Sequence, residues 1–152
     1  MIRNLIKNTY SEIFNQLYKI TDGKVILSGS LGLKLQNIIQ REVNDLDVNI
    51  LSSDWVIYKE IIEKSFRIHP GLEIRYGILE YDLYTCFDKI TKLNEFHLFV
   101  NYGKDVFITL NNIRVLNPKI HLIDKEMIMK SGQDVDKHML DIILIKNHLH
   151  EA

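Results

Sequence analysis

The 152 residues hold only one cysteine, two prolines and one tryptophan, and their acidic and basic side chains nearly cancel, 20 against 19. The lone Cys86 excludes an intrachain disulfide and fits a reducing compartment. On a half-buried strand it reads as a small apolar residue. A net charge of −1 provides no basic footprint for gripping long nucleic acid along its backbone. No apolar run is long enough to cross a bilayer. The first residues, Met1-Ile2-Arg3-Asn4-Leu5-Ile6-Lys7, are amphipathic and lack the charged start and apolar run of a signal peptide. The expectation is a cytoplasmic protein with no membrane partner. Scarce proline and glycine leave no linker, repeat or low-complexity tract, so residues 1–152 read as a single domain. Hydrophobic residues at 46% and charged residues at 26% are enough for an ordinary globular core.

The apolar spacing then predicts the elements. Ile2, Leu5, Ile6, Ile13, Phe14, Leu17 and Ile20 recur at helical intervals and end at Thr21-Asp22-Gly23-Lys24. Val25–Ser28 is a short buried strand, Leu31–Ile39 a short helix and Asp45–Leu51 a second strand. Ser52-Ser53-Asp54 offers an N-cap to a helix over Trp55–Phe66, with Val56, Ile57, Ile61, Ile62 and Phe66 facing inward. After a turn at His69-Pro70-Gly71, strands are expected at Glu73–Ile78, Tyr81–Phe87, Glu95–Tyr102 and Val106–Val115. Polar breaks at Asp88–Asn94 and Gly103–Asp105 suggest hairpins. Two helices, 119–130 and 134–149, follow Asn117-Pro118 and are parted by Ser131-Gly132-Gln133. This order gives an α+β (mixed α/β) fold: a mixed sheet, flanking helices and a C-terminal helical pair. Tyr10, Phe14, Trp55, Tyr58 and Phe66 fall on helices and read as core. His69, His121, His148 and His150 lack metal-ligand spacing, so zinc is not expected.

The chemistry concentrates in Ser28-Gly29-Ser30-Leu31 and Asn44-Asp45-Leu46-Asp47-Val48. Residues two apart on a strand share a face, so Asp45 and Asp47 would present paired carboxylates while Leu46, Val48 and Ile50 turn to the core. Acidic residues are depleted in strands, and burying two like charges unpaired is costly. A hard cation resolves the conflict, and Mg²⁺ is held by one or two carboxylates plus substrate phosphates. A Gly29-Ser30 turn lets backbone N–H groups approach a polyphosphate. The plain alternatives are a solvated strand face for the acids and a capped turn for Gly29-Ser30.

The order strand, Gly-Ser, helix, strand, Asp-x-Asp over residues 25–51 resembles the nucleotidyltransferase superfamily, which includes DNA polymerase β-like, lincosamide-type and abortive-infection-type members. The resemblance implies Asp45 and Asp47 as ligands of one or two Mg²⁺ ions and Gly29 and Ser30 as nucleotide-binding residues. It also implies a third carboxylate on a later strand. The matching position in Glu95-Phe96-His97-Leu98-Phe99-Val100 is His97, a departure for which Glu95 or Asp82 are substitutes. His97 is therefore either a catalytic residue or an ordinary strand histidine. Lys137 and Asp141, four apart on the last helix, match the Lys/Arg-x₂₋₃-Asp pattern near the nucleotide in such members, or form an exposed intrahelical ion pair. Lys34 is not assigned.

The function implied is Mg²⁺-dependent transfer of a nucleoside monophosphate from an NTP to a hydroxyl, with release of pyrophosphate. The acceptor could be a small molecule, a protein or a tRNA end. The alternative is a non-catalytic protein of the same fold that binds a nucleotide or a protein partner. Toxin–antitoxin and phage–host settings are the ones implied. Abundant isoleucine, lysine and asparagine, as AT-rich coding produces, fit a low-GC bacterium or its phage.

Overall fold

In the computed structural model, residues 2–69, 71–76, 79–89, 94–130, 132 and 135–151 are described. The chain runs α1 (Asn8–Ile20), β1 (Ile26–Ser28), α2 (Gly29–Leu35), β2 (Asp47–Leu51), α3 (Ser52–Ser65), β3 (Phe66–Ile68), β4 (Leu72–Tyr76) and β5 (Leu79–Asp88). It continues with β6 (Phe96–Asn101), β7 (Phe107–Leu110), β8 (Ile113–Leu116), α4 (Pro118–Lys130) and α5 (Val135–Glu151). The eight strands form one mixed sheet in the order β3-β5-β6-β2-β1-β8-β7, with β4 on β5. The α+β expectation holds. Pro70, Ile78, Ser131, Gln133 and Asp134, which enter the expected turn, strand end and helix start, lie outside the described residues. No helix among the described residues is long and apolar enough to cross a membrane.

Strand alternation sorts the sheet into two chemistries. β1 and β2 are antiparallel with Ser28 opposite Asp47, and β2 and β6 are parallel with Asp47 opposite His97. Leu27, Val48, Ile50, Leu98, Val100 and Val115 point to one face and are all buried. They join Phe14 and Leu17 of α1 and Trp55 and Ile62 of α3 in the main core. Ser28, Asp47, Asn49, His97, Phe99 and Asn101 alternate onto the other face. One face supplies the main core, and the other combines these groups with a smaller apolar cluster of Ile26, Val106 and Leu116.

Several expectations need correction. The second strand begins at Asp47, so Asp45 lies in the preceding loop and is exposed. α2 stops at Leu35 because Asn37 takes a left-handed φ of 61° and the Ile38 N–H closes back on the Leu33 carbonyl. α1 begins at Asn8, although Ile2 and Ile6 remain buried in the turn before it. In α3 the phase is set by Trp55 and Ile62, seven apart and buried, with Trp55 stacked 5.4 Å from Tyr84. That rotation leaves Val56 80% and Ile57 68% exposed, and Ile61 is exposed as well.

The run 106–115 is two strands. Asn111 and Asn112, both at positive φ, make the two-residue turn joining β7 and β8. Gly103–Asp105 is therefore no hairpin: it joins β6 to β7, between which β2, β1 and β8 stand. The break before Asn94 does join an antiparallel pair, β5 and β6. α4 starts as its sequence suggests, with Pro118 in its first turn and the Asn117 side chain accepting the Lys119 N–H at 3.0 Å. Cys86 is buried in the core, where desolvation pushes its thiol up to about 12.

Candidate active site

Gly29 follows β1 with φ +61°, a conformation that L side chains rarely adopt. A Cβ on Gly29 would lie 2.9 Å from the Asp47 Cβ and would collide with the Asp47 carboxylate oxygen Oδ2. The turn is thus glycine for two reasons, the backbone angle and the room it leaves for Asp47. Ser30 lies one residue on, and its hydroxyl accepts a 2.9 Å hydrogen bond from Arg41 Nη2. Asp45 and Asp47 do not sit side by side on a strand. They share, with Ser30, Arg41 and Lys137, the lining of one cavity of about 250 Å³. The chain brings them together by turning into β2.

His97 is held against Asp47 by the parallel register. Its Nδ1 lies 3.2 Å from Asp47 Oδ1, and its Nε2 lies 3.5 Å from Glu95 Oε1. The hydrogen bond to Asp47 raises the ring's pKa above the ordinary histidine value. Partial burial opposes this, while the charges of Asp47, Glu95 and Asp45 add to it. Asp82 pairs in register with Val100, one of the core-facing residues, so it lies on the opposite face. There it accepts the Tyr102 hydroxyl at 2.7 Å. Asp82 is excluded as a third acid beside Asp47, and Glu95 is the carboxylate found beside His97.

Lys137 and Asp141 share α5 but have different environments. Lys137 is exposed and lines the cavity. Asp141 is fully buried, and its Oδ2 binds Arg41 Nη2 at 2.7 Å and Lys125 Nζ at 3.0 Å. Asp141 does not line that cavity: it is the internal counter-ion of two cations. Burial pushes its carboxyl up, but the Lys125 and Arg41 contacts outweigh that and hold it below the usual carboxylate range. Two cations on one carboxylate leave a surplus positive charge behind Ser30. Sequence reasoning missed Arg41 and Lys125. The signal for them was Asp141 itself, an acid set in Leu140, Ile142, Ile143 and Leu144, which can be buried only with cationic partners.

His121 of α4 belongs to the same buried cluster. Burial, helped by the Lys125 charge and opposed by Asp141, lowers its pKa to about 3. The unfolded chain binds this proton below about pH 6.5, and the folded protein refuses it until about pH 3. Stability should therefore fall as pH drops through that window, by up to about 1.4 kcal/mol per pH unit from this group. Urea melts at several pH values should show this slope in the wild type and lose it in His121→Gln. Equal slopes in the two proteins would contradict the assignment.

A second cavity, of about 370 Å³, lies between the polar sheet face and α4. It shares Ser30, Asp47 and Lys137 with the first. Its walls are largely apolar, among them Leu79, Leu83, Phe99 and Ile120. On its floor Asn101 Nδ2 donates to Asn49 Oδ1 at 3.2 Å, and Asn49 Nδ2 donates to Ser28 Oγ at 2.8 Å. Among the described residues, no three or more histidine, cysteine, aspartate or glutamate side chains converge as a complete metal cage. Two carboxylates opening on one cavity, with space kept beside Asp47 by Gly29, are a donor set suited to Mg²⁺ completed by phosphate and water oxygens.

No protein-family model matches the sequence, and no curated protein matches it. The structure is similar to solved ones. The Megavirus polyadenylate synthase aligns at 15% identity and a TM-score of 0.55, over 90% of this chain and 30% of the viral chain. A candidate nucleotidyltransferase from Thermotoga maritima aligns at 15% identity and a TM-score of 0.50, over 93% of this chain and 95% of that one. This chain thus spans under a third of the viral enzyme's length. At such identities the likeness is one of fold alone, a nucleotidyltransferase-like α+β fold.

Proposed function

We propose that this nucleotidyltransferase-fold chain transfers a nucleoside monophosphate from an NTP to an acceptor hydroxyl, releasing pyrophosphate. The observation that carries the reading is the convergence of Gly29, Ser30, Asp45 and Asp47 on adjoining cavities backed by Arg41, Lys125 and Lys137. The cations and the Gly29-Ser30 turn would attract and hold the polyphosphate. Asp45 and Asp47 would hold one or two Mg²⁺ ions, which when bound neutralise charge on the phosphates and polarise the α-phosphoryl group. The acceptor oxygen forms its bond to the α-phosphorus as the bond from that phosphorus to the leaving oxygen breaks. The acceptor proton leaves for a nearby base. His97, with Nδ1 beside Asp47 and Nε2 beside Glu95 Oε1, would accept it at Nε2 when the ring is neutral. Positioning and charge neutralisation supply most of the rate.

The contact between His97 and Asp47 also supports a second reading, a nucleotide-binding protein of this fold that does not turn over. Pyrophosphate release with Mg²⁺ and each NTP, alongside thermal stabilisation by the same mixtures, separates the two. Stabilisation with release supports transfer, and stabilisation without release supports binding alone. A carboxylate at position 97 would restore the acid that the superfamily resemblance implies. His97→Asp is expected to tighten Mg²⁺ binding by about tenfold or more, since a side chain without negative charge becomes an anionic ligand. Isothermal titration with Mg²⁺ reads this, and unchanged affinity would make His97 an ordinary strand residue.

A further inference from the structure

We infer that the larger cavity selects a nucleobase carrying an exocyclic amine, and that Asp124 of α4 reads that amine. The inference rests on the nucleotide-transfer reading above and adds the class of nucleotide. The two cavities differ in chemistry and meet at Ser30, Asp47 and Lys137. The smaller is lined by charged and polar groups suited to phosphates. The larger is walled by aliphatic and aromatic side chains, and at about 370 Å³ it lies within the size range of small-molecule sites. A nucleotide bridging both at Asp47 would put its base in the apolar cavity.

Several polar groups of that cavity are already engaged, and the buried His121 Nε2 in its lining has no hydrogen-bond partner among the described residues. Asn101 donates to Asn49, Asn49 donates to Ser28, and the Asn101 side-chain oxygen Oδ1 accepts the Gly103 N–H at 2.8 Å. Lys125 is held by Asp141. Asp124 is different: the buried Tyr81 hydroxyl donates to its Oδ1 at 3.0 Å, which fixes the carboxyl group and leaves Oδ2. Burial raises the pKa of the Asp124 carboxyl group, opposed by the Tyr81 hydrogen bond and the Lys125 charge; in its ionised form the group only accepts hydrogen bonds. It pairs with the amine of adenine or cytosine and repels the carbonyl that uracil or hypoxanthine presents at the same position. The site would thus discriminate by an unmatched acceptor as well as by a matched donor.

Paired probes isolate the amine. Dissociation constants would be measured for the Mg²⁺ complexes of ATP against ITP and of CTP against UTP, each pair differing in amine or carbonyl at one ring position. The wild type should favour ATP over ITP and CTP over UTP by about tenfold or more, the scale of one hydrogen bond to a charged group. Asp124→Asn, whose amide can face either partner, should bring both ratios toward unity. Tyr81→Phe, which frees the carboxyl group without removing it, should narrow them in the same direction and stands in if the asparagine variant misfolds. Equal binding of ATP and ITP by the wild type would overturn the proposal. So would an equal loss for all four nucleotides in Asp124→Asn, which would give Asp124 to the metal. If no nucleotide binds, the transfer reading itself fails and the base assignment falls with it.

Discussion

Asp47→Asn is expected to lower nucleotide transfer by about 10²–10³-fold or more while leaving the melting temperature within a few degrees of the wild type. The separation follows from where Asp47 sits. It is the first residue of β2, next to Gly29, and it faces the cavities while Val48 beside it faces the core. Asparagine keeps an oxygen for the His97 Nδ1–H but loses the charge that a cation needs. In the metal-free protein two effects oppose each other. The variant relieves repulsion between Asp45 and Asp47, and it weakens a partly exposed contact with His97 that is worth at most about 1 kcal/mol. Turnover and thermal melting on the same preparation decide the matter. A drop of ten degrees or more would make Asp47 structural, and retained turnover would remove it from the chemistry.

Asp141→Ala should have the opposite signature, a large loss of stability. The carboxylate is fully buried between Arg41 at 2.7 Å and Lys125 at 3.0 Å, and Lys125 is itself buried. Removing one member of a buried ion pair leaves an uncompensated charge, at about 3–5 kcal/mol. For a chain of this length that amounts to roughly 2–4 °C per kcal/mol, so the melting temperature should fall by on the order of 10 °C. Replacing both partners, Asp141→Leu with Lys125→Met, should recover much of the loss, because it removes the stranded charge along with its counter-ion.

The pH dependence has a defined sign. The Asp141 carboxyl is held below its ordinary range in the folded state. Its contribution is therefore present above the unfolded value of about 3.9 and is lost as pH falls through the folded value. The gap between wild type and Asp141→Ala should persist from neutral pH to about pH 4 and close below it. A melting temperature unchanged by Asp141→Ala would mean that the charges of Asp141 and Lys125 are solvated, contrary to their burial.

Legibility in the sequence followed the range of the forces involved. Strand alternation is local, so Val48 and Ile50 facing the core, and Asp47 facing away from it, could be read from spacing alone. The helical pair near the C-terminus could be read from the stop at Asn117-Pro118 and the break at Ser131-Gly132-Gln133. Asp45 was misplaced because the residue at which a strand begins depends on its partner, here Ser28 opposite Asp47. α3 was misread because Val56 and Ile57 are as apolar as Ile62; the helix rotation depends on long-range burial of Trp55, against Tyr84 about thirty residues away, and of Ile62. The placement of His97 opposite Asp47 needed the β2–β6 register, which joins residues fifty apart. Arg41 and Lys125 were hidden because each looks like a surface charge until Asp141, a hundred residues from Arg41, is brought between them.

The central claim is that the cleft at Asp47 moves a nucleoside monophosphate. Its most direct test supplies the protein, Mg²⁺ and cell extract with NTPs labelled either at the α-phosphate or at the γ-phosphate. The label recovered on any acceptor is then compared with that from Asp47→Asn. The account predicts acceptor label from the α-labelled nucleotide only, with pyrophosphate formed in equal amount and both lost in the variant. Acceptor label from the γ-phosphate, or α-label that persists in Asp47→Asn, would contradict it.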